Sequence, residues 1–154
     1  MSEDIPLPEI SSEIPPFIRT WFDDDQAWQS LLRDLAHQHL DQDFDTEYVT
    51  IIDDPAYQGM SAGDIIAKAL AEAPETGLRW DYCLIADQRA MSAAEFPVLA
   101  APVDAHRHSF RVFARDVAEV VLPIGVGATG WEQYANLDEN GVMIPLNRQP
   151  PTEL

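Results

Sequence analysis

The sequence predicts an α/β fold, a single-domain mixed sheet in which a parallel β-α-β-α-β core carries antiparallel edge strands. Three observations support this. Short apolar runs of strand composition stand at Phe17–Thr20, Glu47–Ile52 and Trp80–Ala86. Between them lie stretches whose apolar residues recur at helical spacing, the alternation that builds right-handed βαβ units. A second pair of runs, Pro97–Val103 and Ser109–Phe113, is separated by only a few turn-forming residues and reads as a hairpin.

Taken in order, residues 1–16 hold Pro6, Pro8, Pro15 and Pro16 among acids and read as an extended arm. The domain proper spans 17–146, and 147–154 is a polar tail. After the first strand, Asp23, Asp24 or Asp25 offers an N-cap. Ala27, Trp28, Leu31, Leu32, Leu35 and Ala36 then form one apolar helix face. The strand ending at Ile52 is stopped by Asp53-Asp54-Pro55, because an X-Pro step disfavours continued regular structure. Ser61 followed by Asp64 has the spacing of a capping box, opening a helix with Ile65, Ile66, Ala69 and Leu70 on its apolar face. Pro74 and Gly77 end it.

Asp87 opens a short helical turn containing Met91 and Ala94. The leading proline of Pro97–Val103 suggests a strand start or an edge, since proline donates nothing to a ladder. Asp116–Val121 fits helix or strand equally. Leu122–Gly130 reads as a Gly-rich link, Trp131–Leu137 as a short helix, and Val142–Leu146 as a terminal strand.

Charge narrows the functional classes. Against 27 acids the chain carries 9 lysines and arginines, a formal net charge of −18 over 154 residues. Phosphate binding needs cations, so nucleic acid is not expected as a partner, and neither is an anionic membrane. A basic protein is the natural electrostatic complement. The N-terminus shows no basic stretch followed by an apolar one, so the expected location is cytoplasmic. Cys83 is the sole cysteine; it excludes an internal disulfide and sits in an apolar strand pattern, as a packed thiol does. No serine lies in a nucleophile-elbow sequence, and Gly125–Gly130 fails the dinucleotide-loop spacing.

What remains is acids at strand ends, where open α/β sheets place their ligands. Two readings follow. In the first, Trp21, Asp23, Asp24, Asp25, Asp53, Asp54 and Tyr57 form a contact surface for a basic protein, since aromatics beside acids suit such an interface. No cofactor is needed. In the second, Asp53, Asp54 and Asp87 hold magnesium through oxygen ligands, for an enzyme or phospho-acceptor. Each acid also has a structural role open to it, as helix cap or turn former. Arg19, at the end of the first strand, is placed to neutralise Asp53 or Asp54 and turn the edge into a charge network. The histidines, His37 and His39 in one pair and His106 and His108 in the other, read as surface residues.

The order of motifs is itself informative. Ile18-Arg19-Thr20 with Phe22, Asp24 and Trp28 comes first, then Ile52-Asp53-Asp54-Pro55 with Tyr57 and Gly59, then Ile85 and Asp87. Pro97-Val98-Leu99, Phe110-Arg111-Val112 and the Trp131, Tyr134, Ala135, Gly141 region follow. This succession, over about residues 17 to 143, resembles an uncharacterised family of small bacterial and fungal acidic α/β proteins. That resemblance implies a stand-alone acidic domain and supplies no catalytic residues. The functional expectation is therefore a small non-enzymatic binding protein for a basic partner, an immunity protein for a basic toxin being its most concrete form. The alternative is the magnesium-dependent enzyme or phospho-acceptor. A third expectation is self-association through an edge strand at Pro97–Val103.

Overall fold

A computed structural model describes residues 15–37, 49–72, 80–104, 107–125 and 142. Its centre is a five-stranded open mixed sheet, an α/β fold. The strands are β1 (Pro16–Arg19), β2 (Thr50–Ile52), β3 (Tyr82–Ala86), β4 (Pro97–Pro102) and β5 (Phe110–Phe113). Spatial order is β2-β1-β3-β4-β5. β1 runs parallel to both β2 and β3, while β4 is antiparallel to β3 and β5.

This order dictates where the helices go. Helix α1 (Asp25–Ala36) carries the chain outward from β1 to β2, and α2 (Ala62–Glu72) carries it back across β1 to β3. Two right-handed crossovers running in opposite directions must cover opposite faces. The side chains confirm it through the period-2 alternation of strands. Phe17, Leu84, Val98 and Val112 face Trp28, Leu31 and Leu35 of α1. Ile18, Ile52, Cys83 and Ile85 face Ile65 and Ala69 of α2. Helix α3 (Gln88–Ser92) and helix α4 (Ala118–Gly125) join the α1 side through Ala90, Met91, Val120 and Val121. Single-turn 3-10 helices occupy Pro55–Tyr57 and Ala114–Asp116.

Local chemistry explains the helix starts. Asp24 accepts a hydrogen bond from the Ala27 amide at 3.0 Å, and Asp87 one from Ala90 at 2.9 Å. Ser61 and Asp64 form the reciprocal box, with bonds of 3.1 and 3.2 Å. His37 ends α1, its Nδ1 2.8 Å from the Arg33 carbonyl.

Three expectations are corrected. β4 is hydrogen-bonded on both sides, so it is not an edge available for self-association; its Pro97 stands at the first strand position, where no ladder donor is lost. Leu122–Gly125, read as part of a link, belongs to α4. A helix whose Ala118, Val120 and Val121 are all buried has little polar face, so its period is silent in the sequence. The short second strand begins at Thr50, with Val49 in a bend before it. Val142 makes one parallel bridge with Arg111. The remainder of the expected terminal strand, the helix at 131–137, His39 and His106 lie outside the described residues, as do most of the arm and all of the tail. Among the described residues no helix is long and apolar enough to cross a membrane.

Candidate functional site

The carboxyl ends of β1 and β2 gather the acids. At their centre is Arg19, only 3 % exposed. β1 is the middle strand of the parallel trio and is buried along its whole length. Alternation puts Arg19 on the same side as Phe17, towards α1. Its guanidinium therefore enters the layer between sheet and helix, where an ion needs partners for every donor.

The chain supplies one partner for each of its three nitrogens, from three segments. Nε donates to the Trp21 carbonyl at 3.0 Å. Nη2 donates to Asp25 Oδ1 at 2.7 Å, and Nη1 to Asp53 Oδ1 at 3.3 Å. The faces of the plane are covered as well, with Cζ 4.4 Å from the Phe22 ring centroid and 5.1 Å from that of Trp28. A weakly hydrated, planar cation suits such an aromatic slot better than an ammonium would. The carboxylates sit differently. Asp25 has 84 % of its side chain exposed and Asp53 has 46 %, so both remain hydrated while holding the arginine. The loop after β2 closes over the end of β1 through Gly59, whose amide donates to the Thr20 carbonyl at 2.8 Å. Gly59 has φ +77°, a conformation that favours glycine at this turn.

Two of the remaining acids are held by the backbone. Asp24 caps α1, and Asp54 accepts from the Ala56 amide at 3.0 Å, opening the 3-10 turn. Asp23 is exposed. Thus Asp23, Asp24, Asp25, Asp53 and Asp54 do share one edge. A shallow surface depression of about 350 Å³ on α1 begins at Asp25 and runs past Gln26, Gln29, Ser30 and Arg33.

Asp87 belongs to a different arrangement. It makes a two-pronged pair with Arg111 of β5, at 2.9 and 2.7 Å, while also capping α3. Arg111 further donates to the Pro97 carbonyl at 2.9 Å, so one guanidinium ties the end of β3 to the start of β4 and to β5. Burial pushes the Asp87 carboxyl up, but the hydrogen bonds from Arg111 and Ala90 and the charge of Arg111 outweigh it, leaving it below the ordinary carboxylate value. Of the trio expected to share a magnesium ion, Asp53 is bound to Arg19, Asp54 to the Ala56 amide and Asp87 to Arg111. Among the described residues no group of three or more histidines, cysteines, aspartates and glutamates could hold a metal ion.

The two aromatics named as contacts part company. Trp21 is half-buried against the α1-side core, at the margin of the acidic edge. Tyr57 is 1 % exposed and packs with Ile18, Ile52 and Ile65, so the surface role expected for it is corrected to a core role. Burial pushes its hydroxyl above the ordinary value. Cys83 is likewise core, its thiol pushed up to about 12 by burial, which makes it unreactive.

Sequence reasoning missed Phe22 as the lid on Arg19 and Arg111 as the partner of Asp87. An arginine inside the apolar run Phe110-Arg-Val-Phe113 was the available signal, because a charge in a strand core demands a partner. Comparison with curated proteins and with solved structures returned no match. A family model does match over residues 14–144, nearly the whole of the chain just described. The protein belongs to the family defined by a domain of unknown function, DUF6924.

Proposed function

We propose that this protein is a non-enzymatic binding module that docks a basic protein on the acidic edge formed by Asp23, Asp24, Asp25, Asp53 and Asp54, working in the cytoplasm. One observation carries the reading: two hydrated carboxylates hold one buried guanidinium and three more aspartates stand beside them, so the edge keeps a strong negative excess. Four of the five are fixed by a cap or by Arg19, and prefixed groups lose little further entropy on docking. The net charge of −18 adds long-range attraction for a cationic surface. Trp21, half-buried beside these acids, supplies apolar area at the margin. Inhibition of a basic toxin is the version of this role that such an edge suits best.

The test is affinity capture with three baits: wild type, Asp23→Asn/Asp24→Asn/Asp54→Asn, and Asp81→Asn/Asp104→Asn. Asparagine retains the caps, so the first variant changes charge with little effect on fold. Asp81 and Asp104 lie exposed at the opposite edge of the sheet. A basic protein held by wild type and the opposite-edge variant, released by about 0.5 M salt and lost from the first variant is the expected result. Equal capture by all three baits refutes the assignment of the edge.

A further inference from the structure

The outer face of α1 is polar, and its residues fall into two rows. Asp25, Gln29 and Arg33 stand four residues apart in one, Gln26 and Ser30 in the next. Rows at that spacing are the ridges of a helix surface, and the groove between them is what another helix packs into. The depression of about 350 Å³ is this groove, lined by those five residues. It begins at the acidic edge, because Asp25 belongs to both.

The two ends of the groove carry opposite charges. Asp25 is held by Arg19 and remains largely exposed. Arg33, at the other end, is exposed too, and among the described residues it is the one lysine or arginine whose side chain is uncommitted. Arg19 pairs with Asp25 and Asp53, Lys68 with Glu72, Arg107 with Asp104 and Arg111 with Asp87. Arg115 stands between Asp34 and Glu95, a residue held in the left-handed conformation at φ +62°. Arg89 has a partner as well. Bases are scarce in this chain, 9 against 27 acids, and this one is left facing solvent on a ridge. Its place in the last turn suits the helix dipole, a role that needs no ligand. The groove and the acid at its other end are what point further.

We infer that the basic partner meets this groove with a helix, which carries a base opposite Asp25 and an acid opposite Arg33. The inference rests on the docking role of the acidic edge and adds to it the charge pattern of the partner. Asp25 and Arg33 are eight residues apart, about 12 Å along the helix axis. The partner's base and acid therefore stand eight residues apart on a ridge of their own. Such a pattern gives a protein of charge −18 a means of refusing most basic surfaces. Arg33 repels a uniformly basic face and favours one with an acid at that place.

The probes are two end-capped, alanine-rich helical peptides of about 20 residues and identical composition. Both carry lysines at one end. The matched peptide has its single glutamate eight residues beyond a lysine, on the same ridge. In the control the glutamate is moved by two residues, about 200° around the helix. Each is titrated into the full chain at constant ionic strength and followed by amide NMR. The matched peptide is expected to give saturable shifts at Gln26, Gln29, Ser30 and Arg33 besides those of the edge. It should bind about threefold more tightly than the control, the worth of one exposed ion pair. Arg33→Glu makes the protein more acidic, so plain charge attraction predicts tighter binding of both peptides in equal measure. The inference predicts instead that the preference reverses to the control. A purely structural Arg33 would lower stability in the variant and give no preference in either protein. Equal binding of the two peptides, with shifts confined to 20–25 and 53–56, overturns the inference and leaves the edge reading standing. A preference that survives Arg33→Glu overturns it as well. So does absence of saturation with either peptide, the edge itself being judged by the capture experiment.

Discussion

Two arginines meet acids at the same end of this sheet, and they do different work. Arg111 is matched to one carboxylate in a two-pronged pair, and both partners are largely withdrawn from water. The charges cancel, and the product is a stitch across β3, β4 and β5. Arg19 is more deeply buried, yet it divides its donors between two carboxylates that stay in solvent. Its charge is over-compensated, and the product is a fixed array of exposed acids. Burial of the acid, rather than of the arginine, separates a structural ion pair from a displayed one.

The comparison is sharpened first by removing each cation. Arg19→Met removes the cation from over the Phe22 and Trp28 rings and leaves the Trp21 carbonyl without its partner. The expected loss is about 3 kcal/mol of unfolding free energy in denaturant melts, from lost packing, cation–π contact and hydrogen bonds. Asp25 and Asp53 simply rehydrate, which keeps the loss from being larger. Arg111→Gln is expected to cost about 2 kcal/mol, mostly by leaving Asp87 partly buried without its counter-charge. Should Arg111→Gln prove clearly the costlier, the ranking by depth of burial is wrong.

The Asp87 pair also leaves a signature in pH. Its folded-state carboxyl lies below the ordinary value of 3.8, so it contributes stability that is complete above that value. The contribution is lost as pH falls through 3.8 and then through the lower folded value. Acid titration of stability at low pH should therefore be shallower in Arg111→Gln than in wild type. Superimposable acid limbs would show that Arg111 does not hold the carboxyl down.

A smaller effect of opposite sign is expected from Glu95→Gly. Glycine accepts the left-handed conformation without steric cost, so unfolding should be harder by roughly 0.5–1 kcal/mol, less the weak contact with Arg115. The smallest effect belongs to Asp53→Asn. Its 3.3 Å pair with Arg19 is half in water, and the loss should stay below about 0.5 kcal/mol. A loss as large as that of Arg111→Gln would make the edge structural and remove its claim to be a display surface.

Much of this architecture was legible because local rules agreed with the fold. Asp24, Ser61 with Asp64, and Asp87 each announce a helix start, and each performs that role. The β-α-β-α-β order fixed the parallel trio, and right-handedness then set α1 and α2 on opposite faces. Arg19 was legible as a neutraliser because a cation at a strand end beside Asp53-Asp54 has few alternatives; the structure gives it Asp53 and adds Asp25. Illegible were pairings that depend on spatial order. Asp87 meets Arg111 only because β4 comes between β3 and β5, and no spacing in the chain encodes that. Tyr57 misled because an aromatic after a strand suits a surface loop, whereas the 3-10 turn at Pro55 swings it under α2. Glu95 and Phe96 carry no glycine to mark their left-handed turn.

The central claim is that the acidic edge, and not the rest of this very acidic surface, receives a basic partner. Its most direct test is an NMR footprint of the protein captured by the wild-type bait. The account predicts amide shifts concentrated at 20–25 and 53–56, with the Asp87–Arg111 region unmoved. Shifts centred on the α2 face or on the opposite end of the sheet would contradict it.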